Sequence, residues 1–332
     1  MPQEQYQASH IPDAPELPLV AVIGATGSGK SSLALDLAQT FPGEIVNCDS
    51  LQVYRHFDLG TAKLRLGERR CIPHHLMDIV NPDEVFTAGE YARRARQAIA
   101  EISSRAHLPI VTGGTGFYLR ALLAGLFEGP SRDQALRDRL AARERRRPRS
   151  LHRLLVRFDR GAADRIHPHD VPKVTRALEI CLLARRPVTE LFQTGRNRLE
   201  GYRTLKIGLS PDREALYQRL DVRCQAMFDG GLVDEVRRIL ALGFPAASKP
   251  FESHGYKQTL QLVNGELTPK EALFYAQRNT RRYAKRQMTW FRQEPDIEWL
   301  HGFGDDPHVR NMAIDRVRQF LTPLHKKPAE HF

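Results

Sequence analysis

The residues GATGSGKS, Gly24–Ser31, follow the apolar run Leu17–Ile23 and precede a helical pattern over Ser32–Gln39. A strand, a glycine-rich turn and a helix N-terminus in this order aim several backbone N–H groups at one anion. Lys30 adds a point charge, and the hydroxyl of Ser31 can ligate Mg²⁺. The pattern is typical of ATP-binding and other nucleotide-binding proteins. It predicts that a di- or triphosphate binds to Gly24, Ala25, Thr26, Gly27, Ser28, Gly29, Lys30 and Ser31. Kinases, NTPases and some transferases share such a loop, so the loop alone does not identify the reaction.

Apolar runs elsewhere in the chain predict the fold. Four of them indicate buried strands, with helical patterns between them: Leu17–Ile23, Glu44–Cys48, Leu108–Thr112 and Leu205–Leu209. Strands that alternate with helices indicate an α/β fold, a P-loop NTPase-like parallel sheet covered by helices on both faces. Functional residues are then expected at the carboxyl ends of the strands. Further amphipathic helices are expected over Arg213–Phe228, Leu232–Leu242 and Pro269–Tyr275.

The region from 128 to 201 has a different composition, because it is rich in Arg, helical in pattern and poor in β-branched clusters. We expect an all-helical subdomain here, inserted into a catalytic core made of 16–127 and 202–324. The segments 1–15 and 325–332 are expected to be disordered tails.

Composition favours a cytoplasmic protein. No apolar stretch approaches the roughly 18 residues that span a bilayer, and the first fifteen residues lack the features of a targeting peptide. The four cysteines form no CxxC pair, which argues against a disulfide framework or a zinc finger. The chain is expected to be a monomer without a membrane partner.

Positive charge is concentrated in two segments. Ser131–Arg160 carries 11 Arg against 4 acidic residues, and Ala276–Arg292 carries 6 Arg and Lys against none, whereas the whole chain has a net charge of +11. A charge run is often only a solvated helix face, and for the first segment that interpretation stays open. The second segment places its cations at helical spacing beside aromatic residues, which predicts a surface for a polyanion, either nucleic acid or substrate phosphates.

One acidic residue that phosphate-loop ATPases and kinases usually carry is missing. The run Leu108–Thr112 leads directly into Gly113–Gly116, with no carboxylate at the strand end. The nearest candidate is Asp49, at the end of a neighbouring strand. Residues alone leave open whether Asp49 ligates a metal or acts as a base. The glycines of Gly113–Gly116 permit a close backbone approach, and the Thr115 hydroxyl can orient a nucleophile.

Eight sequence motifs occur in a fixed order along the chain, and together they indicate a close resemblance to a known family. They are GATGSGKS, CDSLQVYRHFDLGTAK (Cys48–Lys63), PHHLMDI (Pro73–Ile79), LPIVTGGTGFYLRALLAGL (Leu108–Leu126), RIHPHD with RALEI (Arg165–Ile180), GLVDEV (Gly231–Val236), GYKQ (Gly255–Gln258) and TRRYAKRQMTWFR (Thr280–Arg292). From about Leu17 to Leu300 the chain resembles the bacterial tRNA dimethylallyltransferase family, also called tRNA isopentenyltransferases. The resemblance implies transfer of a dimethylallyl group from dimethylallyl diphosphate to the N6 amine of the adenosine 3′-adjacent to the anticodon in the tRNA anticodon stem-loop. The tRNAs are typically those that read codons beginning with U.

The resemblance also implies residue roles. Asp49 matches the family's base, Thr115 the residue that orients the adenine or the diphosphate, and Arg223, within QRLDVRCQAMF (Gln218–Phe228), a cation that stabilises the leaving diphosphate. The implied cofactor is Mg²⁺, held by Ser31. The implied tRNA-binding residues are Asp49, Ser50, Leu51, Gln52, Lys173, Arg176, Gly255, Tyr256, Lys257, Arg281, Arg282, Lys285 and Arg286, with neighbouring anticodon bases on the inserted subdomain.

The chain departs from the family pattern at Val171–Val174, where the family tends to have a Gln-Arg pair. Lys173 keeps a charge but loses bidentate reach, and Pro172 lacks a backbone donor. Altered tRNA selectivity is therefore expected. The alternatives are a P-loop nucleotide or small-molecule kinase, a relative that prenylates free AMP-type nucleotides, and a non-enzymatic RNA-binding NTPase. The missing acid and the large basic insertion argue against the kinase.

Overall fold

The computed structural model describes residues 16–127, 129–192 and 195–322. They form two compact units: a first unit up to Leu122 and again from Glu200, and a second unit over Leu123–Leu199. The tails predicted at 1–15 and 325–332, and the boundary predicted at residue 128, lie outside the described residues. Within the described part of the chain, no helix is long and apolar enough to cross a membrane.

The first unit is built on a six-stranded parallel sheet with the order β3-β2-β4-β1-β5-β6. The strands are β1 (Leu17–Gly24), β2 (Gly43–Asn47), β3 (His74–His75), β4 (Leu108–Gly113), β5 (Tyr202–Leu209) and β6 (Ile297–Leu300). The predicted parallel sheet is confirmed. The strands β3 and β6 were not predicted, because they are short edge strands with no long apolar run. Since β4 lies between β1 and β2, the end of β2 is one strand further from the phosphate loop than the end of β4.

Helices surround the sheet and make up the second unit. In the first unit they are α1 (Lys30–Thr40), α2 (Ala88–Ser104), α3 (Gly116–Leu123), α9 (Arg213–Asp229), α10 (Leu232–Ala241), α11 (Tyr256–Val263), α12 (Pro269–Phe291) and α13 (Pro307–Leu321). In the second they are α4 (Gln134–Arg146), α5 (Ser150–Phe158), α6 (Arg160–Arg165), α7 (Val171–Ala184) and α8 (Val188–Leu191). The helix predicted at Pro269–Tyr275 and the basic segment after it form one helix, α12, which Thr268 and Glu271 begin with a capping box.

Both faces of the sheet are covered. Val22 and Ile110 pack with residues of α1 and α13 in one core cluster. The next residues along the same strands, Ile23 and Val111, are also fully buried and point to the opposite face. The structure thus confirms the two-faced packing that continuous apolar runs indicate.

The second unit is held by a small apolar core and a buried ion cluster. Glu179 is 0% exposed and accepts hydrogen bonds from Arg137 at 2.7 and 2.8 Å, from Arg176 at 2.6 Å and from the backbone N–H of Asp133 at 2.8 Å. Burial alone would raise the pKa of Glu179, but these donors lower it to about 2. Arg176, which the resemblance places on tRNA, therefore has a structural partner.

Pro172, where the chain departs from the family pattern, does not disrupt helix α7. Pro172 lies in the first turn of α7, where a backbone N–H would have no partner within the helix. Asp170 caps this helix by accepting from the N–H of Lys173 at 3.3 Å, and its carboxylate also lies 2.6 Å from the Lys173 ammonium. The expected loss of a donor at Pro172 thus leaves no helix hydrogen bond unmade.

The close approach of β4 to β2 at their carboxyl ends predicts a steric requirement for glycine. A Cβ atom at Gly113 would lie 2.1 Å from the carbonyl oxygen of Cys48. We expect Gly113→Ala to lower the free energy of unfolding by about 1–3 kcal/mol, the range for overpacking. Urea unfolding measures this change. Gly67→Ala is the control, because a Cβ at Gly67 meets nothing within 4 Å; equal losses in the two variants would contradict the packing argument.

Candidate active site

The turn from β1 into α1 forms a cradle for an anion. Gly27 and Gly29 have φ angles of 79° and 87°, in the left-handed region that favours glycine. Gly29 is the N-cap of α1, no side chain caps this helix, and its first turn contains no acid. The first backbone N–H groups of α1 are therefore available to a ligand, and the helix dipole favours a negative one.

Lys30 points back into this cradle. Its ammonium donates a hydrogen bond of 2.6 Å to the carbonyl of Ala25. Burial lowers the pKa of Lys30 to about 8, although the nearby carboxylate of Asp49 favours the charged form. Asp49 thus compensates the positive charge of Lys30 only in part, and a diphosphate bound in the cradle would supply the remaining negative charge.

A second loop, Gly113–Gly116, lies against the cradle and is tied to it by Gln287 of α12. The side chain of Gln287 accepts from the backbone N–H of Thr26 at 2.9 Å and donates to the carbonyl of Gly114 at 2.8 Å. Sequence reasoning did not select Gln287. Its signal was a polar residue on the buried face of α12, three and four positions from the buried residues Ala284 and Phe291.

Glycine lets α12 approach this second loop. A Cβ atom at Gly114 would lie 2.2 Å from the Nε2 of Gln287, and one at Gly116 would lie 2.1 Å from the ring of Trp290. The glycines around Thr115 therefore accommodate two large side chains of α12 as well as a close backbone approach.

Thr115 and Asp49 are held by hydrogen bonds at the strand ends. The hydroxyl of Thr115 accepts from the N–H of Ser50 at 3.0 Å. The Oδ1 atom of Asp49 accepts from the N–H of Leu51 at 2.9 Å, and the N–H of Asp49 donates to the side chain of Asn47 at 3.1 Å. Among the described residues, the Oδ2 atom of Asp49 has no hydrogen bond or ion pair. One carboxylate oxygen thus orients the side chain and the other is available for chemistry.

Two adjoining pockets meet at Asp49. The phosphate pocket is lined by the cradle, including Lys30 and Ser31, and by the strand ends at Asn47, Thr112 and Gly113. The apolar pocket has seven apolar side chains in its wall, together with polar ones such as His254, Thr280 and Tyr283; the apolar ones are Leu51, Leu220, Cys224, Met227, Phe228, Leu232 and Ala276. Four residues line both pockets: Thr26, Asp49, Thr61 and Arg223. The structure therefore brings the predicted catalytic residues Asp49 and Arg223 to one boundary.

Arg223 is a half-buried cation whose guanidinium has no hydrogen bond or ion pair with the described residues. Burial lowers its pKa, and the carboxylate of Asp49 opposes that shift. One turn earlier on α9, Arg219 is fully paired, because it contacts both oxygens of Asp305 at 2.8 Å. An unpaired buried charge is costly, so the environment of Arg223 favours an anionic ligand.

Some predicted tRNA-binding residues have other surroundings. Tyr256 is 0% exposed, donates its hydroxyl hydrogen to Glu235 and accepts from the N–H of Gly60 at 3.1 Å. It supports the loop after Asp49 and has no surface for RNA. Gly255 and Leu51 line the apolar pocket, Gln52 lines the phosphate pocket, and Lys257 is exposed to solvent.

The cations of α12 divide into paired and free side chains. Arg281 forms an ion pair with Asp221 of α9, so the segment does have an acidic partner, contrary to the sequence-based interpretation. Arg286 lies 3.2 Å from the Nε2 of His254. Within the described part of the chain, Arg282 and Lys285 are exposed and their side chains contact no hydrogen-bond or ion-pair partner.

Together, the parallel sheet, the glycine turn and the uncapped helix N-terminus define a phosphate-loop α/β protein. The family model described as IPP transferase matches residues 52–294. The chain belongs to this family.

Individual relatives agree with the family model. The chain is 70% identical over 305 residues to the tRNA dimethylallyltransferase of Solibacter usitatus, covering 92% of this chain and 99% of that protein. It is 54% identical over 301 residues to the tRNA dimethylallyltransferase of Koribacter versatilis, covering 90% and 98%.

Solved structures show the same likeness. The tRNA isopentenylpyrophosphate transferase of Bacillus halodurans is 34% identical, with a TM-score of 0.67 over 92% of this chain and 95% of that chain. A eukaryotic dimethylallyltransferase acting on tRNA is 29% identical, with a TM-score of 0.79 over 94% of this chain and 81% of that chain.

The lowered pKa of Lys30 predicts a pH dependence of anion binding. A bound diphosphate favours the ammonium, so binding raises the pKa of Lys30 and takes up a proton above pH 8. We expect the dissociation constant of a diphosphate monoester to rise by about tenfold per pH unit above pH 8.5. Calorimetry in buffers of different ionisation enthalpy measures both effects. Lys30→Arg, which stays charged, should lose this slope; a wild-type affinity independent of pH from 7 to 10 would contradict the assignment.

Proposed function

We propose that the chain transfers the dimethylallyl group of dimethylallyl diphosphate to the N6 amine of the adenosine 3′-adjacent to the anticodon in tRNA. The products are N6-isopentenyladenosine and diphosphate. The observation that carries the proposal is the position of Asp49 on the wall shared by the phosphate pocket and the apolar pocket. The family and its named tRNA dimethylallyltransferases supply the reaction class.

The phosphate pocket is proposed to hold the diphosphate of the donor. In this reaction the C–O bond between the allylic carbon and the diphosphate breaks, so negative charge develops on the leaving oxygen. The N–H groups of α1, the ammonium of Lys30 and the guanidinium of Arg223 lie where they can stabilise that charge. The loop thus binds a leaving group, whereas in a kinase it would bind the donor of a transferred phosphoryl group.

The apolar pocket is proposed to hold the dimethylallyl group and the adenine. Its lining of Leu220, Met227 and Phe228 suits a hydrocarbon tail and the face of a base. An adenosine in a folded anticodon loop must leave its stack to enter such a pocket. Its N6 atom would then attack the allylic carbon at the boundary of the two pockets.

Asp49 is proposed to act as the general base. The exocyclic amine is a weak nucleophile because its lone pair is delocalised into the ring. As the N–C bond forms, the amine proton must leave, and the free Oδ2 of Asp49 can accept it. Thr115, whose hydroxyl is anchored to the N–H of Ser50, is proposed to orient the reacting groups beside Asp49.

Mg²⁺ is proposed as the cofactor, and the polar atoms of the phosphate pocket fit a hydrated cation. Ser31 offers its hydroxyl as a ligand. His74 and Thr112 line the same pocket, and the His74 Nε2 and the Thr112 hydroxyl are buried without a hydrogen-bond partner among the described residues. Since the Nδ1 of His74 contacts the carbonyl of Ile72 at 2.8 Å and burial lowers its pKa, Nε2 is an acceptor for a metal-bound water. When bound, Mg²⁺ would neutralise charge on the leaving diphosphate.

The exposed cations are proposed to bind RNA phosphates. Arg282 and Lys285 of α12 have no competing partner among the described residues, and the Arg-rich segment Ser131–Arg160 of the second unit adds further cations. We place the enzyme in the cytoplasm, where tRNA is found, and expect a monomer. The kinase alternative has no support, because β4 ends at Gly113 without a carboxylate and the relatives above are transferases.

Replacing the carboxylate at Asp49 tests the base. Asp49→Asn keeps an oxygen that accepts from the N–H of Leu51, so the loop should keep its shape, but the amide cannot accept the amine proton. We expect kcat to fall by about 10²–10⁴-fold, with the donor affinity much less changed. Activity is measured with saturating tRNA and donor across a Mg²⁺ titration. A rate plateau far below wild type supports the base; full recovery at high Mg²⁺ would make Asp49 a metal ligand instead.

Salt dependence tests the RNA surface. Neutralising Arg282 and Lys285 to Gln should weaken tRNA binding and flatten the slope of log affinity against log salt by about one to two. The control neutralises two exposed cations of α13, Arg310 and Arg316, of which Arg316 forms an ion pair with Glu298 at 3.5 Å. Fluorescence titration from low to high salt gives both slopes. If the α12 variant and the α13 variant had the wild-type slope alike, α12 would not be the RNA surface.

A further inference from the structure

The side chain of Gln287 makes a polar bridge between the phosphate cradle and the loop that carries Thr115, beyond the point where the pairing of β1 with β4 ends at Ile23 and Gly113. It is 5% exposed, accepts from the N–H of Thr26 at 2.9 Å and donates to the carbonyl of Gly114 at 2.8 Å. In the proposed reaction, the first loop holds the leaving group and the second holds the residue that orients the nucleophile. Gln287 therefore connects the loop proposed to hold the leaving group with the loop proposed to orient the nucleophile.

We infer that Gln287 is a positioning residue for the transfer reaction, one that fixes the separation of the leaving-group loop and the Thr115 loop. This inference rests on the proposed function. Gln287 occupies the N–H of Thr26, so that N–H is not a donor to the diphosphate. Its loss should thus leave ground-state binding of the donor largely intact while relaxing the alignment on which the transition state depends.

The amide is chemically specific for this bridge. A glutamine carries an acceptor and a donor on one rigid group, and here each faces a backbone group of the opposite kind. A glutamate could still accept from Thr26, but it would place a negative charge against the carbonyl of Gly114 and beside the diphosphate. A methionine fills the same volume and can make neither hydrogen bond at comparable strength.

Gln287 lies on α12, the same helix that carries the cations proposed to bind RNA. Arg282 and Lys285, the free cations proposed to contact RNA, lie on the exposed face of the same helix, and Gln287 lies on its buried face. The helix also packs Trp290 against Gly116. The helix proposed to bind the acceptor RNA is thus the helix that sets the geometry of the two reacting loops.

Steady-state kinetics with the full chain, tRNA, dimethylallyl diphosphate and Mg²⁺ test the inference. We expect Gln287→Met to lower kcat by about 10- to 100-fold, with KM for donor and tRNA changed by less than about threefold. Gln287→Glu should lower kcat and also raise KM for the donor, because its charge opposes the diphosphate. Calorimetric donor affinity without tRNA should be near wild type for Gln287→Met.

The matched control is Gln277→Met. Gln277 lies on the same helix and donates to the carbonyl of Asp221 at 3.2 Å, which ties α12 to α9 without contact to the phosphate cradle. We expect its kcat within about twofold of wild type. A Gln287→Met enzyme with wild-type kcat, or one whose defect is entirely a raised donor KM matched by weaker calorimetric binding, would overturn the inference. A wild-type protein that forms no N6-isopentenyladenosine would overturn the proposed function instead.

Discussion

The site depends on a helix N-terminus left without a cap. The left-handed turn at Gly27 and Gly29 delivers β1 directly into α1, and no side chain satisfies the first N–H groups of that helix. In most helices a Ser, Thr, Asp or Asn takes this place, so an uncapped start is a cost to stability that a bound anion removes. The loop from Phe303 to Asp305 supports the turn from behind, where Gly304 donates to the carbonyl of Ser28 at 2.9 Å.

The charged side chains of the phosphate pocket favour an anionic ligand. The ammonium of Lys30 and the guanidinium of Arg223 are both disfavoured by burial, and the carboxylate of Asp49 compensates each of them only in part. A fully paired site would be more stable and would bind a diphosphate less well. The neighbouring Arg219, paired with Asp305, shows that the same helix also offers the stable arrangement. This pattern favours a ligand that carries several negative charges when it binds and gains further negative charge as the diphosphate leaves.

The parallel sheet, the phosphate loop and the place of Asp49 at a neighbouring strand end were within reach of the sequence, whereas Arg223 of α9 was indicated only by the family resemblance. Continuous apolar runs and a glycine motif are local signals, and strand ends meet at one edge whatever the details of packing. The short edge strands gave no such signal. The roles of Tyr256 and Arg281 depend on burial and on partners distant in sequence, Glu235 and Asp221. The role of Arg176 depends on the burial of Glu179, three positions along α7, which also binds Arg137 of α4.

The role of Gln287 also could not be predicted from the sequence. Its partners are more than 170 positions away along the chain and are backbone groups, which no side-chain pattern reveals. A basic helix also attracts attention to its exposed face, whereas the residue that links the two loops lies on the buried one. Residues that position a site through backbone contacts are therefore the part of this site that only the three-dimensional structure makes visible.

The central claim is that the phosphate loop holds a leaving group. Its most direct test is mass analysis of tRNA nucleosides and of released phosphate species after incubation with dimethylallyl diphosphate and Mg²⁺. The account predicts N6-isopentenyladenosine and diphosphate in equal amounts, and no phosphoryl transfer when ATP replaces the donor. A phosphorylated product formed from ATP, with adenosine unmodified in the presence of dimethylallyl diphosphate, would contradict it.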